Sequence, residues 1–311
     1  MQGPAANFVW EIAPEDRYEL DGAGRVAFLN SYVTQDIKNL PAGGVTTAAF
    51  LTQKGKLVSE AQILNLGQKF LLLFPAGFGS KVEAHLATFL LFAEVSLKNC
   101  SGQYAHFALS GPRAGDLLKS LGLMAPSPAE TGLVQLAWQN SEAILYPSNP
   151  FGKPGYELLV AASLAPQVRQ GLREASWLPG EELERLRIEA GLPKMGVDMG
   201  EDNLVAEVGL DERATSFNKG CYLGQETTAR VQSRGHVNRK LVRVRLSEAY
   251  PGPLPVELRQ GEKTVGTLTS AALSPTVGGT IGLATVQLAA WEQAEGIYFP
   301  GPRGKIGVSK L

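Results

Sequence analysis

Residues 240 to 311 restrict the possible folds more than any other part of the sequence. Short β-forming stretches follow one another there, separated by Gly and Pro, with no helical pattern between them. They are Leu241 to Leu246, Val256 to Leu258, Thr264 to Thr269, Ile281 to Val286 and Lys305 to Ser309. Strands at this spacing predict a small barrel or sandwich. We therefore predict two regions, residues 1–239 and a C-terminal β-barrel over residues 240–311.

The first region mixes strand-like and helix-like stretches, which places the whole chain in the α+β class. Predicted strands are Phe8 to Ile12, Thr46 to Leu51, Leu57 to Leu64, Lys69 to Phe74, His106 to Leu109, Ala143 to Tyr146 and Tyr156 to Ala161. Predicted helices are Val26 to Tyr32, Lys81 to Phe92, Ala114 to Leu121, Ala165 to Ala175 and Glu181 to Ala190. These assignments rest on hydrophobic spacing and on turn residues between the stretches.

Charge and hydropathy exclude several classes of protein. The 29 basic and 30 acidic residues leave a net charge of −1, so bulk charge does not favour binding to nucleic acid, which needs clustered Lys and Arg. Met1 to Trp10 has neither the basic region nor the long apolar segment of a secretory signal. The uncharged stretch Thr264 to Trp291 holds too many polar and turn-forming residues for a lipid-facing helix. We expect a cytoplasmic protein that does not enter a membrane.

The sequence predicts no metal site. Its two cysteines, Cys100 and Cys221, cannot alone supply the four ligands of a structural zinc site or an iron–sulfur cluster. The histidines His85, His106 and His236 lack metal-ligand spacing. We interpret His85 as a core residue on the apolar face of a helix and Cys100 as structural or incidental.

The densest group of chemically active residues surrounds Cys221. Residues 219 to 226 read Lys-Gly-Cys-Tyr-Leu-Gly-Gln-Glu, in which two glycines bracket the cysteine and permit a tight turn with an exposed thiol. The nearby cations Lys219 and Arg230 would favour the thiolate, the reactive form. Gln225 and Glu226 offer an amide and a carboxylate that could orient a ligand or accept a proton. The alternative is a buried and inert cysteine, since free cysteines are among the most buried residues.

This motif resembles the K-G-C-x-x-G-Q-E motif of the YgfZ family, folate-binding proteins of iron–sulfur cluster assembly. Residues 234 to 239, Arg-Gly-His-Val-Asn-Arg, resemble the R-G-x-V-N-R segment that follows it. More loosely, the chain is similar to the wider superfamily of the glycine-cleavage T-protein, an aminomethyltransferase. Matching segments are Phe28-Leu29 with Val33 to Asp36, Gln53 to Lys56, Leu186 to Pro193 (R-x-E-A-G-x-P), and Val265 to Ser270 with Ser274 to Thr276 (G-x-x-T-S…S-P).

The resemblance implies a T-protein-like cloverleaf of two interleaved α+β units followed by a small β-barrel, with tetrahydrofolate or a derivative as cofactor. It implies that Glu189 hydrogen-bonds the pterin edge, where a carboxylate suits two neighbouring N–H donors. Glu207 and Tyr156 are expected in the same cavity, and Arg230 completes the predicted cofactor-binding set. The segment around Glu207 lacks the proline that relatives carry. From the residues alone, Glu189 could instead be a solvent-facing residue at a helix end, and Tyr156 an ordinary strand residue.

Three functions are consistent with these residues. The first is a folate-binding factor that supports assembly or repair of iron–sulfur proteins, with Cys221 as its reactive thiol and assembly or client proteins as partners. The second is a folate-dependent one-carbon transferase or demethylase. It is disfavoured because aminomethyltransferases carry an aspartate in the segment that aligns with Phe74 to Val82, and no acid occurs there. The third is a thiol-dependent interaction module that does not bind folate.

Overall fold

The computed structural model describes residues 7–12, 15–126, 132–293, 296–302 and 304–311. Residues 1–6, which belong to the segment interpreted above as free of a secretory signal, lie outside the described residues. The chain divides into two compact units. Unit 1 takes in residues up to Phe50, Ser59–Pro179 and Asn218–Tyr222, and unit 2 takes in Leu51–Val58, Gly180–Phe217 and Leu223–Leu311. Each is described by itself below.

The strands and helices up to residue 177 are, in chain order, β1 (Phe8–Glu11), β2 (Glu15–Asp21), α1 (Arg25–Tyr32), β3 (Val45–Leu51), β4 (Leu57–Asn65), β5 (Phe70–Pro75), α2 (Gly79–Leu90), β6 (Ser96–Asn99), β7 (Tyr104–Ser110), α3 (Ala114–Ser120), β8 (Val134–Trp138), β9 (Ser141–Ser148), β10 (Gly155–Ala161), α4 (Ala165–Gly171) and β11 (Ser176–Trp177). They form two sheets, of strand order β11-β1-β7-β10-β9-β8 and β3-β4-β5-β2-β6. Every strand predicted here is present within a few residues. The predicted helix Ala165 to Ala175 ends earlier, at Gly171.

Strand β10 illustrates why the centre of the six-stranded sheet is buried on both faces. Leu158 and Val160 pack with Leu118 of α3 and Val168 of α4. Leu159, which points to the opposite face, packs instead with residues of β4 and β5 from the other sheet. Since successive side chains of a strand point to opposite faces, a strand covered on both sides reads as a continuous apolar run.

A buried polar network lies on that second face of the sheet. The ring of His106 on β7 lies between two carboxylates, with Nδ1 2.9 Å from Glu15 Oε2 and Nε2 3.1 Å from Glu157 Oε2. The Tyr146 hydroxyl also donates to Glu157, at 2.6 Å. Burial alone would lower the pKa of His106, but the hydrogen bonds and charges of Glu15 and Glu157 outweigh it and raise the pKa to about 9. This imidazolium therefore connects the two sheets of unit 1, because Glu15 belongs to β2 of the five-stranded sheet.

The remaining elements are α5 (Gly180–Ala190), a 3₁₀ turn (Val205–Glu207), α6 (Leu210–Arg213), α7 (Gln225–Arg234), β12 (Arg239–Leu246), β13 (Val256–Gln260), β14 (Lys263–Ser274), β15 (Gly279–Gln287), α8 (Leu288–Gln293), β16 (Ile297–Gly301) and β17 (Gly304–Lys310). Strands β12 to β17 close into a barrel of order β12-β15-β14-β13-β16-β17. The α+β class and the C-terminal β-barrel are thus confirmed. Among these elements the sequence missed β16, α7 and the short helices α6 and α8, and earlier in the chain it missed β2, β8 and β11. The division of the chain at residue 239 stays a prediction.

Helix α5 is fixed to the barrel within unit 2. Ile188 is completely buried and packs against Ile281 and Leu283 of β15. Full burial of such a side chain contributes roughly 1.5–3 kcal/mol. This packing fixes the rotation of α5 and therefore the direction in which the next residue, Glu189, projects.

Among the described residues no helix is both long and apolar enough to cross a membrane. The uncharged stretch Thr264 to Trp291 forms most of β14, all of β15 and the start of α8. The interpretation of this stretch as strands and turns is therefore confirmed except for the short helix.

Candidate functional site

Cys221 is exposed, on a loop at residues 218–222 that belongs to unit 1. The alternative of a buried cysteine at this position is therefore wrong. Cys100, in contrast, is buried after β6, and burial raises the pKa of its thiol to about 11. Only a small fraction of Cys100 is therefore thiolate at neutral pH, which agrees with its interpretation as structural.

Lys219 connects the cysteine loop to the end of α1. Its ammonium donates hydrogen bonds to three backbone carbonyl oxygens, those of Asn30 (2.6 Å), Val33 (2.8 Å) and Gln35 (2.7 Å). The carbonyls at the C-terminus of a helix lack partners within the helix and carry partial negative charge, so a cation is favoured there. The ammonium also lies 5.0 Å from the ring centroid of Tyr222. The loop carrying Cys221 is thus held by the residues on either side of it.

The hydrogen bonds of Lys219 limit how it can act on the Cys221 thiol. An ammonium has three N–H donors, and three carbonyl oxygens receive them, so none is left to donate to the Cys221 sulfur. Burial lowers the pKa of Lys219 to about 8, against the opposing charge of Asp36. Activation of the thiol by Lys219 stays a prediction, and it would have to act through charge rather than through a direct hydrogen bond.

The second glycine of the motif is required by the backbone, and the first is not. Gly224 precedes α7 with a φ of +84°, and a Cβ there would lie 2.6 Å from the carbonyl oxygen of Thr52. Gly220 has a φ outside the left-handed region and open space where a Cβ would project. Of the two glycines predicted to form the turn, only Gly224 has a backbone conformation that L-residues disfavour.

The remaining residues of the motif lie on the first turns of α7, in unit 2. Gln225 is the first residue of the helix and is half-buried. Glu226 and Arg230 are exposed and form an i,i+4 ion pair of 2.6 Å. Such an exposed pair contributes at most a few tenths of a kcal/mol, about 0.3–0.5. The predicted catalytic carboxylate and the predicted cofactor-binding cation thus contact each other, and their roles toward a ligand stay predictions.

Glu189 is on the last turn of α5 and is largely buried. Its Oε1 accepts hydrogen bonds from Arg185, one turn earlier, and from Ser274 Oγ of β14. Arg185 is shared with Glu182, and its guanidinium is therefore held between two carboxylates. The structure thus joins the R-x-E-A-G-x-P segment to the serine of the S-P segment, which lie 85 residues apart in the sequence.

Glu207 is buried, and both of its oxygens are occupied by structural contacts. Oε2 accepts the backbone N–H of Leu204 at 2.9 Å, which closes the 3₁₀ turn, and Oε1 accepts Arg239 Nε at 3.0 Å. Arg239 is the last residue of the Arg-Gly-His-Val-Asn-Arg segment and also donates to the carbonyl of Asp202, at 2.6 Å. Contact between Glu207 and a cofactor stays a prediction, and these contacts account for its burial without one.

Tyr156 belongs to unit 1, whereas Glu189, Glu207 and Arg230 belong to unit 2. It lies on β10, half-buried at the edge of the core that α3 and α4 cover. Its hydroxyl donates a long hydrogen bond of 3.4 Å to the carbonyl oxygen of Pro126. Strand packing, the alternative interpretation of this residue, describes these contacts, and a role in ligand binding stays a prediction.

A buried aspartate that the sequence analysis did not single out organises the surroundings of α5. Asp198 accepts hydrogen bonds from Arg187 Nη1 (2.6 Å), Ser270 Oγ (2.6 Å) and the backbone N–H of Lys194 (3.0 Å). Arg187 and Ser270 both stand in segments that carried the resemblance, so they provided a signal for this contact. Their partner could not be inferred because it lies in a loop without a recognised pattern.

A second missed acid lies beside the segment Phe74 to Val82. Asp16 on β2 accepts the backbone N–H of Gly79 at 2.9 Å, at the start of α2. The segment itself has no acid, as noted above, but the pairing of β2 with β5 brings one next to it. Asp16 thus accepts one of the backbone N–H groups in the first turn of α2, which have no partner within the helix.

Two contacts join segments that carried the resemblance, that of Glu189 with Ser274 and that of Arg187 with Ser270. The deciding observation is the coverage of the chain by known domains. Residues 6–219 match the GCVT N-terminal domain, and residues 239–306 match the glycine cleavage T-protein C-terminal barrel domain. The chain belongs to the glycine cleavage T-protein family. Cys221 and the start of α7 lie between the two matched ranges.

Similar proteins cover most of the chain. It is 25% identical over 291 residues to an aminomethyltransferase of Desulfitobacterium hafniense, covering 89% of this chain and 78% of that protein. It is 26% identical over 318 residues to an aminomethyltransferase of Thermotoga maritima, covering 96% of this chain and 83% of that protein. The solved structure of glycine cleavage system aminomethyltransferase T from Bartonella henselae superimposes with a TM-score of 0.86, at 20% identity, over 99% of this chain and 85% of that one. The predicted T-protein-like fold is therefore confirmed.

Proposed function

We propose that this protein binds a reduced folate and supports the assembly or repair of iron–sulfur proteins through Cys221, as the YgfZ family does. The observation that carries the proposal is the cysteine loop. An exposed thiol stands on a short segment that Lys219 anchors through three carbonyl oxygens. That segment continues beyond the range matched by the N-terminal family domain, which ends at residue 219. A structural cysteine needs no such anchor.

The residues around Glu189 fit a pterin in part. Oε1 already accepts two hydrogen bonds, from Arg185 and Ser274. Among the residues that the structure describes, none donates to Oε2, so this oxygen is available to an N–H of a ligand. A carboxylate can accept on both oxygens, and the hydrogen bond from Arg185 orients the group. Glu189 would therefore hold the pterin edge, while Glu207 has little accepting capacity left.

An aminomethyltransferase is the second candidate, and the names of the relatives favour it. Transfer of an aminomethyl group needs a side chain that manages protons at the amine. Residues 74–82 carry no acid for this purpose, and the neighbouring Asp16 is engaged with the N-terminus of α2. Turnover with an N-methyl or aminomethyl donor and tetrahydrofolate would establish this candidate over the assembly factor. A thiol-dependent module without folate is the third, and it requires that no folate binds.

Calorimetric titration with tetrahydrofolate and its 5-formyl form tests the proposal first. Glu189→Gln removes the charge and one acceptor, and we expect folate binding to weaken by about 1.5–3 kcal/mol, the range for hydrogen bonds to charged groups. Glu182→Gln is the matched control, because it removes the other carboxylate that contacts Arg185. Equal affinity of wild type and Glu189→Gln would refute this pocket, and equal losses in both variants would mean that Arg185 alone matters.

The role of the thiol is tested separately. Cys221→Ser is expected to bind folate as the wild type does, but to lose the ability to restore iron–sulfur enzyme activity in cells that lack the protein. Cys100→Ser is the control, because its buried thiol should have no part in that activity. Full activity of Cys221→Ser would refute the role of the thiol and leave folate binding unaffected.

A further inference from the structure

A cavity of about 210 Å³ lies within unit 2, between α7 and the 3₁₀ turn with the residues that follow it. Of the motif residues discussed above, three line it, namely Gly235, His236 and Val237 of the Arg-Gly-His-Val-Asn-Arg segment. Its apolar wall is formed by Leu204, Val205, Phe217, Val231 and Val237. Since a water molecule takes up about 30 Å³ in the liquid, the volume holds roughly seven small atoms or groups. A small organic molecule fits this space, and a cofactor as large as a folate does not.

Three of the polar side chains that line the cavity can accept a hydrogen bond, and the side chains of Thr227 and Gln232 line it as well. Asp211 contributes a half-buried carboxylate. The hydroxyl of Thr228 donates a hydrogen bond of 3.4 Å to the carbonyl oxygen of Gly224, so its own oxygen can still accept one. His236 Nδ1 lies 3.0 Å from the carbonyl oxygen of Arg234, so Nδ1 carries the proton and Nε2 of the neutral ring is an acceptor.

The Asp211 carboxylate forms no direct ion pair with a lysine or arginine of the described residues. Among the described residues no lysine or arginine lines the cavity, and no salt bridge joins Asp211 to one. Burial raises the pKa of Asp211 and the neighbouring charge of Glu212 adds to the shift, while the charge of Lys240 and the backbone N–H groups of Asp211 and Glu212 oppose it. A ligand cation held in the cavity would give this half-buried carboxylate the direct ion pair that the described residues do not provide.

We propose that this cavity binds a small primary amine in its ammonium form, with a short branched or cyclic apolar group. The ammonium is a compact cation with three donors and no acceptor, which complements a carboxylate, a hydroxyl oxygen and an imidazole nitrogen. The apolar group would occupy the wall of leucine, valine and phenylalanine side chains. Pockets of this kind, apolar with a few polar groups at defined points, are typical of small-molecule sites. The proposal does not depend on folate binding or on Cys221.

The test compares three probes of nearly equal size, isobutylamine, isobutyl alcohol and isobutyrate, by saturation-transfer NMR and titration of the wild-type chain. We expect saturable binding of the amine at least about tenfold tighter than that of the alcohol, and no binding of the acid. Asp211→Asn should weaken amine binding by about tenfold or more and leave the alcohol unchanged. Glu212→Gln, an exposed acid one residue away, is the matched control and should bind the amine as the wild type does.

Val231→Trp provides a second variant that does not change charge. A tryptophan there would fill the cavity and should abolish binding of both the amine and the alcohol, even if Asp211→Asn failed to fold. The proposal is overturned if amine and alcohol bind equally, if Asp211→Asn folds and binds the amine as the wild type does, or if no probe binds saturably. None of these outcomes would change the result of the folate titration of Glu189→Gln, so the amine proposal and the folate proposal can fail separately.

Discussion

The charge on His106 makes a specific prediction about stability as a function of pH. The ring is completely buried, and each nitrogen faces a carboxylate, of Glu15 on one side and Glu157 on the other. Tyr146 and Arg17 are the other titratable groups of the network. The folded-state pKa of His106 is about 9, above the ordinary value of 6.5. The native state therefore holds this proton more tightly than the unfolded chain does.

The linkage between protonation and folding gives the sign and the size of the pH-dependent stabilisation by His106. A raised pKa contributes stability that is fully present below about pH 6.5 and is lost as the pH rises through about 9. Each unit of pKa difference corresponds to about 1.4 kcal/mol, so the contribution amounts to about 3 kcal/mol. That is a large share of the stability of a typical domain, about 5–15 kcal/mol.

Urea unfolding of wild type and His106→Gln at about pH 6, 7.5 and 9 measures this contribution. Glutamine keeps polar atoms in the site but does not titrate. Lys219 would oppose the trend, because its lowered pKa of about 8 adds stability at higher pH. The difference between the two proteins cancels this and every other group outside the network. His236→Gln, which changes an exposed histidine, is the matched control.

We expect the stability advantage of wild type over His106→Gln to fall by about 3 kcal/mol between pH 6 and pH 9. His236→Gln should run parallel to wild type over the same range. If the curves of wild type and His106→Gln were parallel, His106 would not be the charged centre of the network. If the wild type gained stability over the variant with rising pH, the ring would be buried neutral and the sign of the reasoning would be wrong.

Three further outcomes are expected around the cysteine loop. Gly224→Ala should destabilise the chain by at least about 1–2 kcal/mol, because an L-residue disfavours its left-handed backbone, whereas Gly220→Ala should be nearly neutral; equal losses in urea unfolding would contradict this. Lys219→Met should lower the free energy of unfolding by about 1–3 kcal/mol, because three carbonyl oxygens lose their donor. It should also speed proteolysis at residues 218–222, and an unchanged cleavage rate would show that Lys219 does not hold this loop. Iodoacetamide should label Cys221 at least about a hundredfold faster than Cys100 near pH 8, because only about one in a thousand Cys100 thiols, of pKa about 11, is a thiolate at that pH. Mass spectrometry of the labelled peptides measures both rates, and equal rates would contradict this prediction.

Local patterns predicted most of the helices and strands but not the partners of polar groups. Glu189 was selected by its segment, yet its contacts with Arg185 and Ser274 could only be seen once α5 was packed on the barrel. His85 was predicted to be a core residue, but its side chain on α2 is only half-buried. Val82 and Leu86 of the same helix are buried. Helix α7 was missed because its apolar residues are too few to give a hydrophobic period.

The sequence by itself determined the α+β class, the succession of barrel strands, the family and the cysteine motif. These depend on spacing along the chain, on turn residues and on the order of segments, all of which are local. Only the tertiary structure decided that Lys219 binds carbonyl oxygens instead of the thiol, that Glu207 is occupied by Arg239, and that His106 is a buried cation. The reason is physical: the charge state and the partner of a polar group depend on burial and on residues brought close by folding, which lie far apart in the sequence.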